Sequence, residues 1–356
     1  MRITFVLPAP IRIPMGGVKV VYQHAARFVA MGHAVTVVMP RRTDPSWRGR
    51  AREAAVQVRD RLHRIETSPY YQHPGVVTRI VPLATDDALP DADIVIATGV
   101  QTARWVRELA PQKGAKVYFI QHLEAHIQSD VRQTWAYPMA IVTCAQWLAD
   151  EVRADGLDVL GVVPNAIDPT EFYLERPIGQ RGPRVAALYH RHPIKGPDVL
   201  LAALERLRAL LPDIEAEVFA ARPPSHRFPA WVTVRIRPSV DALRALYNRT
   251  AVLLNASRSE GWGLVPMEAA ACGAAVVSSA NEGISEFLAP GESVALAPVG
   301  DSAALAEAAY DLLSNEDQRV RQAETGRAHV ARFDLDAHSA QFAGLLQSLV
   351  AHEVEG

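Results

Sequence analysis

Residues 3–39 have the sequence ITFVLPAPIRIPMGGVKVVYQHAARFVAMGHAVTVVM. The apolar run Ile3–Leu7 predicts a strand, and Val18–Met31 places apolar residues at helical spacing. Gly32 ends that helix, and Ala34–Met39 is a second apolar run rich in valine. A strand, a helix and a strand in this order predict a β-α-β unit with parallel strands.

The same alternation continues along the rest of the chain. Short apolar runs predict further strands, and amphipathic stretches of helical length separate them. Residues 169–184 interrupt the pattern with prolines, glycines and charges, which indicates a linker. The further strands predicted before and after this linker are Ile94–Ala97, Lys116–Ile120, Ala140–Thr143, Gly161–Val163, Val185–Tyr189, Glu215–Phe219, Val232–Ile236, Ala251–Asn255 and Ala275–Ser279.

These elements predict an α/β protein with two Rossmann-like, doubly wound domains. The expected boundaries are 1–170 for the first domain and 171–335 for the second. A last helix at 336–356 is expected to pack back on the first domain. Ligands of such sheets bind beyond the carboxyl ends of the strands, so we expect the two domains to face each other across a cleft.

Length and composition fit this organisation. A chain of 356 residues allows two domains, and 49% hydrophobic with 21% charged residues is typical of a globular protein. The net charge of −2 gives no basis for nucleic-acid binding. Runs of about 18 apolar residues, which would predict a membrane span, do not occur. Two isolated cysteines fit a reducing compartment, and we therefore expect a cytoplasmic protein.

One segment is strongly basic. Residues 41–64 hold eight arginines against three acidic residues. Such a patch attracts anionic lipid surfaces or anionic substrates, which makes peripheral contact with the cytoplasmic face of a membrane one hypothesis. A solvated helix or loop face accounts for the same charge and is the simpler interpretation.

The strongest chemical signal lies in residues 257–269, SRSEGWGLVPMEA, which follow an apolar strand. Pro266 predicts the first turn of a helix, because its missing N–H group is not needed there. Glu268 would then lie in that first turn, where the helix dipole favours a negative charge. Gly273 is expected to end the helix.

The composition of this stretch predicts what it binds. Gly261 and Gly263 allow a ligand to approach the backbone closely, and the N–H groups at a helix start bind anions. Glu260 and Glu268 carry acceptor-only carboxylates, which suit the vicinal hydroxyls of a ribose or a hexose. The stretch therefore predicts a site for a ligand that is both anionic and polyhydroxylated.

This pattern resembles the E-x7-E motif of retaining GT-B glycosyltransferases, specifically family 4 (glycosyl transferases group 1). The resemblance covers nearly the whole chain, because other short motifs follow in the family's order and spacing. They are Gly16-Gly17 after the first strand, MGHAVTV at 31–37, VPNAID at 163–168, Lys195-Gly196, and ACGAAVV at 271–277.

The resemblance implies a role for each matching residue of the second domain. Glu268 would hold the ribose hydroxyls of the donor, and Glu260 would contact the transferred sugar. Lys195, with Arg191, would neutralise the diphosphate as the leaving group gains negative charge. The donor would also touch the backbone at Gly261, Trp262, Gly263 and Leu264.

The second cation at the diphosphate is less well defined than Lys195. Family members commonly have an arginine five residues before the lysine, but position 190 is a histidine here. Arg191 is one residue nearer, so His190 and His192 remain alternatives to it.

In the first domain, the resemblance points to Gly16-Gly17 and His122. The glycine loop would meet the donor phosphates and border the acceptor, although a simple strand-to-helix turn is the alternative. His122 follows a predicted strand end, where the family often has a histidine that contacts the donor sugar. Glu124 is a candidate for acceptor contact. The glycine loop is not a G-x-G-x-x-G fingerprint, which argues against a nicotinamide enzyme.

No metal or other cofactor is expected. The D-x-D pattern at Asp91-Ala92-Asp93 precedes its strand, so we interpret it as the entry to a buried strand. GT-B enzymes generally need no bound metal.

The function that the resemblance implies is transfer of a sugar, with retained configuration, from a nucleotide-diphosphate sugar to a hydroxyl. The acceptor would be a glycan, a lipid-linked intermediate or a small molecule, with cell-surface polysaccharide or lipid-linked glycan synthesis favoured. Three alternatives are a GT-B nucleotide-sugar epimerase, a natural-product glycosyltransferase, and a non-catalytic nucleotide-sugar-binding subunit.

Overall fold

The computed structural model describes residues 1–42, 46, 54–55, 71–124, 129–225 and 227–355. The chain forms two compact units, and the first combines Met1–Pro164 with Leu335–Gly356. The second unit is Asn165–Asp334. The sequence predicted domain boundaries after residues 170 and 335, whereas the division between the two compact units falls after residues 164 and 334.

The first unit contains a parallel sheet with the strand order β3-β2-β1-β4-β5-β6-β7. Order reverses between β1 and β4, so the chain winds outward from the middle of the sheet in both directions. The strands are β1 (Arg2–Val6), β2 (Ala34–Pro40), β3 (Val76–Val81), β4 (Ile94–Ala97), β5 (Ala115–Ile120), β6 (Ala140–Thr143) and β7 (Gly161–Val162).

The second unit repeats this plan with the strand order β10-β9-β8-β11-β12-β13, all parallel. Its reversal point lies between β8 and β11. The strands are β8 (Arg184–Leu188), β9 (Glu215–Ala220), β10 (Val232–Ile236), β11 (Val252–Asn255), β12 (Ala275–Ser279) and β13 (Ala295–Ala297). The predicted fold class, two Rossmann-like doubly wound domains, is confirmed.

In the part of the chain that the structure describes, helices connect most of the consecutive strands of both sheets, as is usual for parallel pairing. In chain order they are α1 (Gly16–Ala30), α2 (Val100–Arg107), α3 (Val131–Trp135), α4 (Gln146–Ala154), α5 (Pro197–Leu210), α6 (Val240–Arg249), α7 (Leu264–Ala271), α8 (Ser302–Ser314), α9 (Glu316–Val330) and α10 (Leu335–Glu355).

The helix α10 packs inside the first unit. The ring of Phe342 lies 5.6 Å from that of Phe28 on α1 and 5.1 Å from that of Phe119 on β5. At the same contact, the Nδ1 atom of His24 lies 2.9 Å from the Oγ atom of Ser339. An aromatic cluster and one buried polar contact therefore join the chain's last helix to α1.

The sequence did not predict two of the strands, β3 and β13. In β3 alternate residues are exposed, Val77 by 51%, because this strand lies at the edge of its sheet. The other missed strand, β13, has only three residues and lies at the edge of the second sheet. Neither offers the continuous apolar run of a central parallel strand.

The predicted linker is also more ordered than its composition suggested. Phe172, Ile178 and Arg181 are buried, and Ile178–Gln180 form a 3₁₀ turn. Residues 169–184 are therefore part of the second unit's packing and do not form a free connection.

The start of α7 differs from the prediction as well. Gly263, with a φ angle of 112°, caps the helix at its N-terminal end, so α7 begins at Leu264. Pro266 is then the third helical residue, which still needs no intrahelical N–H bond. Glu268 lies in the second turn, so the prediction that placed it in the first turn was wrong.

Within the described residues, no helix combines the length and hydropathy needed to cross a membrane. The basic segment 41–64 falls almost wholly outside the described residues, and so does the membrane contact predicted from it.

Candidate active site

The candidate site of the second unit lies where the strand order of its sheet reverses. The strands β8 and β11 are neighbours there. The chain passes from β8 to β9 on one side of this point, and from β11 to β12 on the other. Ligands of open parallel sheets bind at this point, beyond the carboxyl ends of the strands. The loop after β8 carries Lys195, and the loop after β11 carries Glu260.

These two loops are bonded directly to each other. The backbone N–H of Arg258 donates to the carbonyl oxygen of Ile194 at 2.7 Å. Gly196 has a φ angle of 59°, and a Cβ atom there would lie only 2.1 Å from the carbonyl oxygen of Ala256. A glycine is therefore required next to Lys195, because it lets the two loops approach each other.

Lys195 and Glu260 form an ion pair between these loops. The Nζ atom of Lys195 lies 2.6 Å from the Oε2 atom of Glu260. Their side chains are 24% and 14% exposed, so both charges are largely withdrawn from water but still reachable. The site thus presents a cation for a phosphate beside a carboxylate that accepts hydrogen bonds from hydroxyl groups.

A third loop, which follows β12, supports the backbone of residues 257–262. The Nδ2 atom of Asn281 donates to the carbonyl oxygen of Ser257 at 3.2 Å. A Cβ atom on Gly283 would lie 2.4 Å from the carbonyl oxygen of Trp262. The glycine therefore permits a backbone contact that any other residue would prevent.

The indole of Trp262 belongs to the core. It is 3% exposed, it stacks on Phe287 with ring centroids 5.6 Å apart, and its edge meets Phe333. Its Nε1 atom donates to the Sδ atom of Met267 at 3.1 Å. Because the side chain is buried, only the backbone of Trp262 is placed to contact a ligand.

Glu268 lies on α7 and is only 5% exposed. The hydroxyl group of Tyr247, on α6, donates a hydrogen bond to its Oε2 atom at 3.3 Å. Burial, and after it the charge of Glu268, raise the pKa of Tyr247 well above its usual value. Tyr247 therefore stays protonated and acts as a donor to the carboxylate.

The three candidates for a second cation differ in their surroundings. The Nε atom of Arg191 donates to the carbonyl oxygen of Pro223 at 3.0 Å, so this side chain is bound to the loop after β9. The Nδ1 atom of His190 accepts from the backbone N–H of His192, which leaves Nε2 protonated in the neutral ring. Burial, and after it the charge of Lys195, lower the pKa of His190.

In the first unit, Gly17 is the second residue of α1, and His122 lies in the loop that follows β5. A Cβ atom on Gly17 would lie 3.2 Å from the Oε1 atom of Gln121, a buried oxygen without a hydrogen-bond partner. The Nδ1 atom of His122 donates to the carbonyl oxygen of Leu123 at 2.8 Å, which leaves Nε2 as the acceptor nitrogen of the neutral ring.

Glu124 is bound to the start of α2. Its Oε2 atom accepts the backbone N–H of Val100 at 2.7 Å, and burial raises the pKa of its carboxyl group. Glu124 thus satisfies one of the backbone N–H groups that have no intrahelical partner at the start of a helix. The structure places Gly17, Gln121, His122 and Glu124 in the first unit and Lys195, Glu260 and Glu268 in the second.

The sequence interpretation missed Gln121, Tyr247, Asn281 and Arg181. Gln121 could have been found, because it directly follows β5 and precedes His122. The other three were not marked by any local pattern, since their partners are distant in the chain.

In the described part of the chain, no group of three or more His, Cys, Asp or Glu side chains is arranged to hold a metal ion. The two acids of the D-x-D pattern form ion pairs. Asp91 lies 2.7 Å from Lys113, and Asp93 lies 2.7 Å from Arg2. Both carboxylates thus have a structural role at the entry to β4.

Comparison with known families finds a match to part of the second unit. Residues 184–315 match the profile of the family described as "Glycosyl transferases group 1". This range includes Lys195, Glu260 and Glu268, together with all six strands of the second sheet. The second unit therefore carries the sequence pattern of group 1 glycosyl transferases.

Among individual proteins, the chain is similar to a D-inositol 3-phosphate glycosyltransferase of Corynebacterium urealyticum. The two are 32% identical over 180 residues, which is 46% of this chain and 42% of that protein. It is also 29% identical over 215 residues to a phosphatidyl-myo-inositol mannosyltransferase of Mycolicibacterium smegmatis, covering 55% of this chain and 53% of that protein. These matches span about half the length of the relatives.

Solved structures with the same fold cover nearly the whole chain. Sucrose-phosphate synthase from Thermosynechococcus elongatus matches with a TM-score of 0.76, 16% identity, and 99% of both chains covered. Anabaena Alr3699/HepE in complex with UDP-glucose matches with a TM-score of 0.74 and 16% identity, covering 98% of this chain and 100% of that one. At this identity the likeness establishes the shared fold.

Proposed function

We propose that this protein is a retaining glycosyltransferase of family 4, which transfers a sugar from a nucleotide-diphosphate sugar to a hydroxyl acceptor. The observation that carries the proposal is the ion pair between Lys195 and Glu260 at the reversal point of the second sheet. Glu268, which follows Glu260 at the E-x7-E spacing, supplies a second, buried carboxylate. Both residues lie within the range that matches group 1 glycosyl transferases.

Each charged group of this site has a part in the proposed reaction. Lys195 neutralises the diphosphate, and a second donor comes from His190, Arg191 or His192. Glu260 accepts hydrogen bonds from the hydroxyls of the sugar, and Glu268 accepts those of the ribose. The backbone of residues 261–264 approaches the donor through its glycines. In the first unit, Gly16, Gly17 and His122 complete the donor contacts.

The proposed step needs no protein nucleophile. The bond between the anomeric carbon and the phosphate oxygen breaks, and a bond from that carbon to the acceptor oxygen forms on the same face. The leaving phosphate oxygen takes the proton of the acceptor hydroxyl. The protein's contribution is positioning together with stabilisation of the charge on the leaving group. Neither a metal ion nor another cofactor takes part in this proposal.

The acceptor is proposed to be a hydroxyl group of a lipid-linked or cell-surface glycan intermediate, bound by the first unit on the cytoplasmic side of the membrane. Two of the similar proteins are named for acceptors that contain inositol, D-inositol 3-phosphate and phosphatidyl-myo-inositol. A polyol on a phosphate or lipid carrier is therefore included in the proposed acceptor class.

The test is an assay of the full chain with UDP-glucose and GDP-mannose as donors. Nucleotide release is measured with and without myo-inositol, D-inositol 3-phosphate or phosphatidylinositol, in EDTA and in magnesium. We expect release that depends on an acceptor, persists in EDTA, and gives a product whose anomeric configuration in NMR matches the donor.

The epimerase and the non-catalytic subunit would each give a different result in the same assay. Release of nucleotide with a rearranged sugar, in the absence of any acceptor, would indicate an epimerase. Donor binding with neither transfer nor slow hydrolysis would indicate a non-catalytic subunit. An inverted product would contradict the retaining mechanism but not sugar transfer itself.

A further inference from the structure

The carboxylate of Glu268 is held by contacts that lie outside the motif containing it. Glu268 is nearly inaccessible to water, and a buried carboxylate is costly unless hydrogen bonds satisfy it. Tyr247 supplies one such bond to Oε2. A bond to one oxygen fixes the rotation of the carboxylate, and this fixes where its remaining acceptor directions point.

Tyr247 is itself rigidly placed. Its ring lies between two aromatic side chains, with centroids 5.9 Å from Phe172 and 5.8 Å from Phe219, the second in an edge contact. The residue is fully buried near the C-terminal end of α6. Its hydroxyl group therefore has little freedom to follow a moving carboxylate.

The two helices that carry this pair are joined at their C-terminal ends by one buried cation. The Nη1 atom of Arg181 donates to the carbonyl oxygens of Tyr247 and Thr250, at 3.2 and 2.9 Å. Its Nη2 atom donates to the carbonyl oxygen of Cys272 at the end of α7, at 2.7 Å. Arg181 thereby sets the distance between α6 and α7, and with it the distance between Tyr247 and Glu268.

We infer that Tyr247 is a positioning residue for nucleotide binding, which orients the carboxylate of Glu268 towards the ribose hydroxyls of the donor. This inference rests on the proposed function, since it takes Glu268 as the ribose contact. It adds a residue outside the E-x7-E motif to the determinants of donor affinity. Tyr247 itself touches no ligand; it acts through Glu268.

The test is calorimetric titration of the full chain with UDP and with 2′,3′-dideoxy-UDP, and in parallel with GDP and its dideoxy form. In Tyr247→Phe the affinity for the ribonucleotide is expected to fall by about tenfold, the value of one hydrogen bond to a charged group. The affinity for the dideoxynucleotide is expected to stay as in the unchanged protein, because that ligand lacks the hydroxyls that Glu268 binds.

The matched control is Tyr22→Phe. The hydroxyl group of Tyr22 lies 2.8 Å from the Oγ1 atom of Thr78 in the first unit, so this change also removes one tyrosine hydroxyl contact. Nucleotide affinity should be unchanged in the control. A loss of equal size for UDP and dideoxy-UDP in Tyr247→Phe would overturn the inference, since it would indicate general loosening of the second unit.

A double-mutant cycle covers the case in which Tyr247→Phe lowers stability. If Tyr247 acts through Glu268, then Tyr247→Phe should cost no further affinity when it is added to Glu268→Gln. Additive losses would overturn the inference and leave the proposed function standing. If the unchanged protein binds neither UDP nor GDP, the proposed donor site fails, and the inference fails with it.

Discussion

The two units share one sheet plan, but they hold their candidate site residues in different ways. In the second unit, Lys195 is paired with Glu260, and Glu268 is bonded to Tyr247. In the first unit, Glu124 is bonded to the backbone of Val100, at the start of a helix. The second unit's candidate residues therefore bond to other side chains, whereas Glu124 bonds to the backbone of its own unit.

The profile match falls on one side of this comparison. It covers residues 184–315, all within the second unit. Loops tolerate sequence change better than residues whose side chains bond to one another. The first unit's loops are therefore expected to tolerate substitution better than the bonded candidate residues of the second unit.

The largest expected effect concerns the frame of the second unit, by which we mean the bonds from Arg181 to the C-terminal ends of α6 and α7. Arg181→Met leaves the carbonyl oxygens of Tyr247, Thr250 and Cys272 without this donor, and we expect the second unit to lose about 3 kcal/mol of stability. Hydrogen exchange of the α6 and α7 amides measures the loss. Arg206→Met, on the exposed side of α5, is the control. A loss below about 0.5 kcal/mol, the usual range of surface changes, would mean that Arg181 does not hold this frame.

The next effect concerns donor use. Glu268→Gln is expected to lower kcat/KM for the nucleotide sugar about a hundredfold, or close to 3 kcal/mol, because two charged hydrogen bonds to the ribose become weaker. The circular dichroism spectrum should be unchanged. Glu307→Gln, an exposed position on α8, should leave turnover as it was. Unchanged turnover in Glu268→Gln would remove the ribose role.

A third prediction is that the stability of the first unit depends on pH through His24. Burial, and after it the charges of His338 and Arg27, lower the pKa of His24 to about 3. The unfolded chain protonates this ring below its ordinary pKa of 6.5, whereas the native state stays neutral down to about 3. The first unit should therefore lose stability as the pH falls through this window, by about 2 kcal/mol at pH 5.

Hydrogen exchange of the α1 and α10 amides at pH 7.5 and pH 5, corrected for intrinsic exchange rates, measures this loss. His24→Gln should remove the His24 share of the pH dependence, because the amide does not titrate. The second unit's frame should respond differently. Burial lowers the pKa of Arg181 only to about 10, so Arg181 stays charged across the same window. An identical pH dependence in protein and variant would show that His24 is not the cause.

The smallest effect concerns the first unit's part in the reaction. His122→Ala is expected to lower sugar transfer about tenfold, the value of one good hydrogen bond to the donor sugar. The affinity for UDP alone should not change, since UDP lacks the sugar. His73→Ala, an exposed position of the first unit, is the control. Weaker UDP binding in His122→Ala would place His122 at the nucleotide and not at the sugar.

The sequence predicted most of what is local. Each central strand is a compact apolar run, and the site residues 257–268 lie in one continuous stretch. Partners that are distant in the chain could not be predicted this way. Tyr247 and Glu268 are 21 positions apart, and Arg181 and Cys272 are 91 apart. Such pairs depend on how strands order in the sheet, which periodicity does not reveal.

The start of helix α7 is a second feature that could not be predicted from the sequence. Pro266 was a sound signal for a helix start, but the left-handed conformation of Gly263 allows the helix to begin earlier, at Leu264. A glycine gives no sequence signal of the conformation it will adopt. The position of Glu268 within its helix was therefore wrong, although its assignment to the helix was right.

We propose that the second unit binds the nucleotide sugar through residues 190–196 and 257–268. Hydrogen–deuterium exchange of the full chain, with and without saturating UDP-glucose or GDP-mannose, tests it without knowledge of the acceptor. We predict that one of these donors slows exchange in both segments, and that Glu268→Gln reduces this protection at the same donor concentration. Protection confined to other segments, or absent with both donors, would contradict the account.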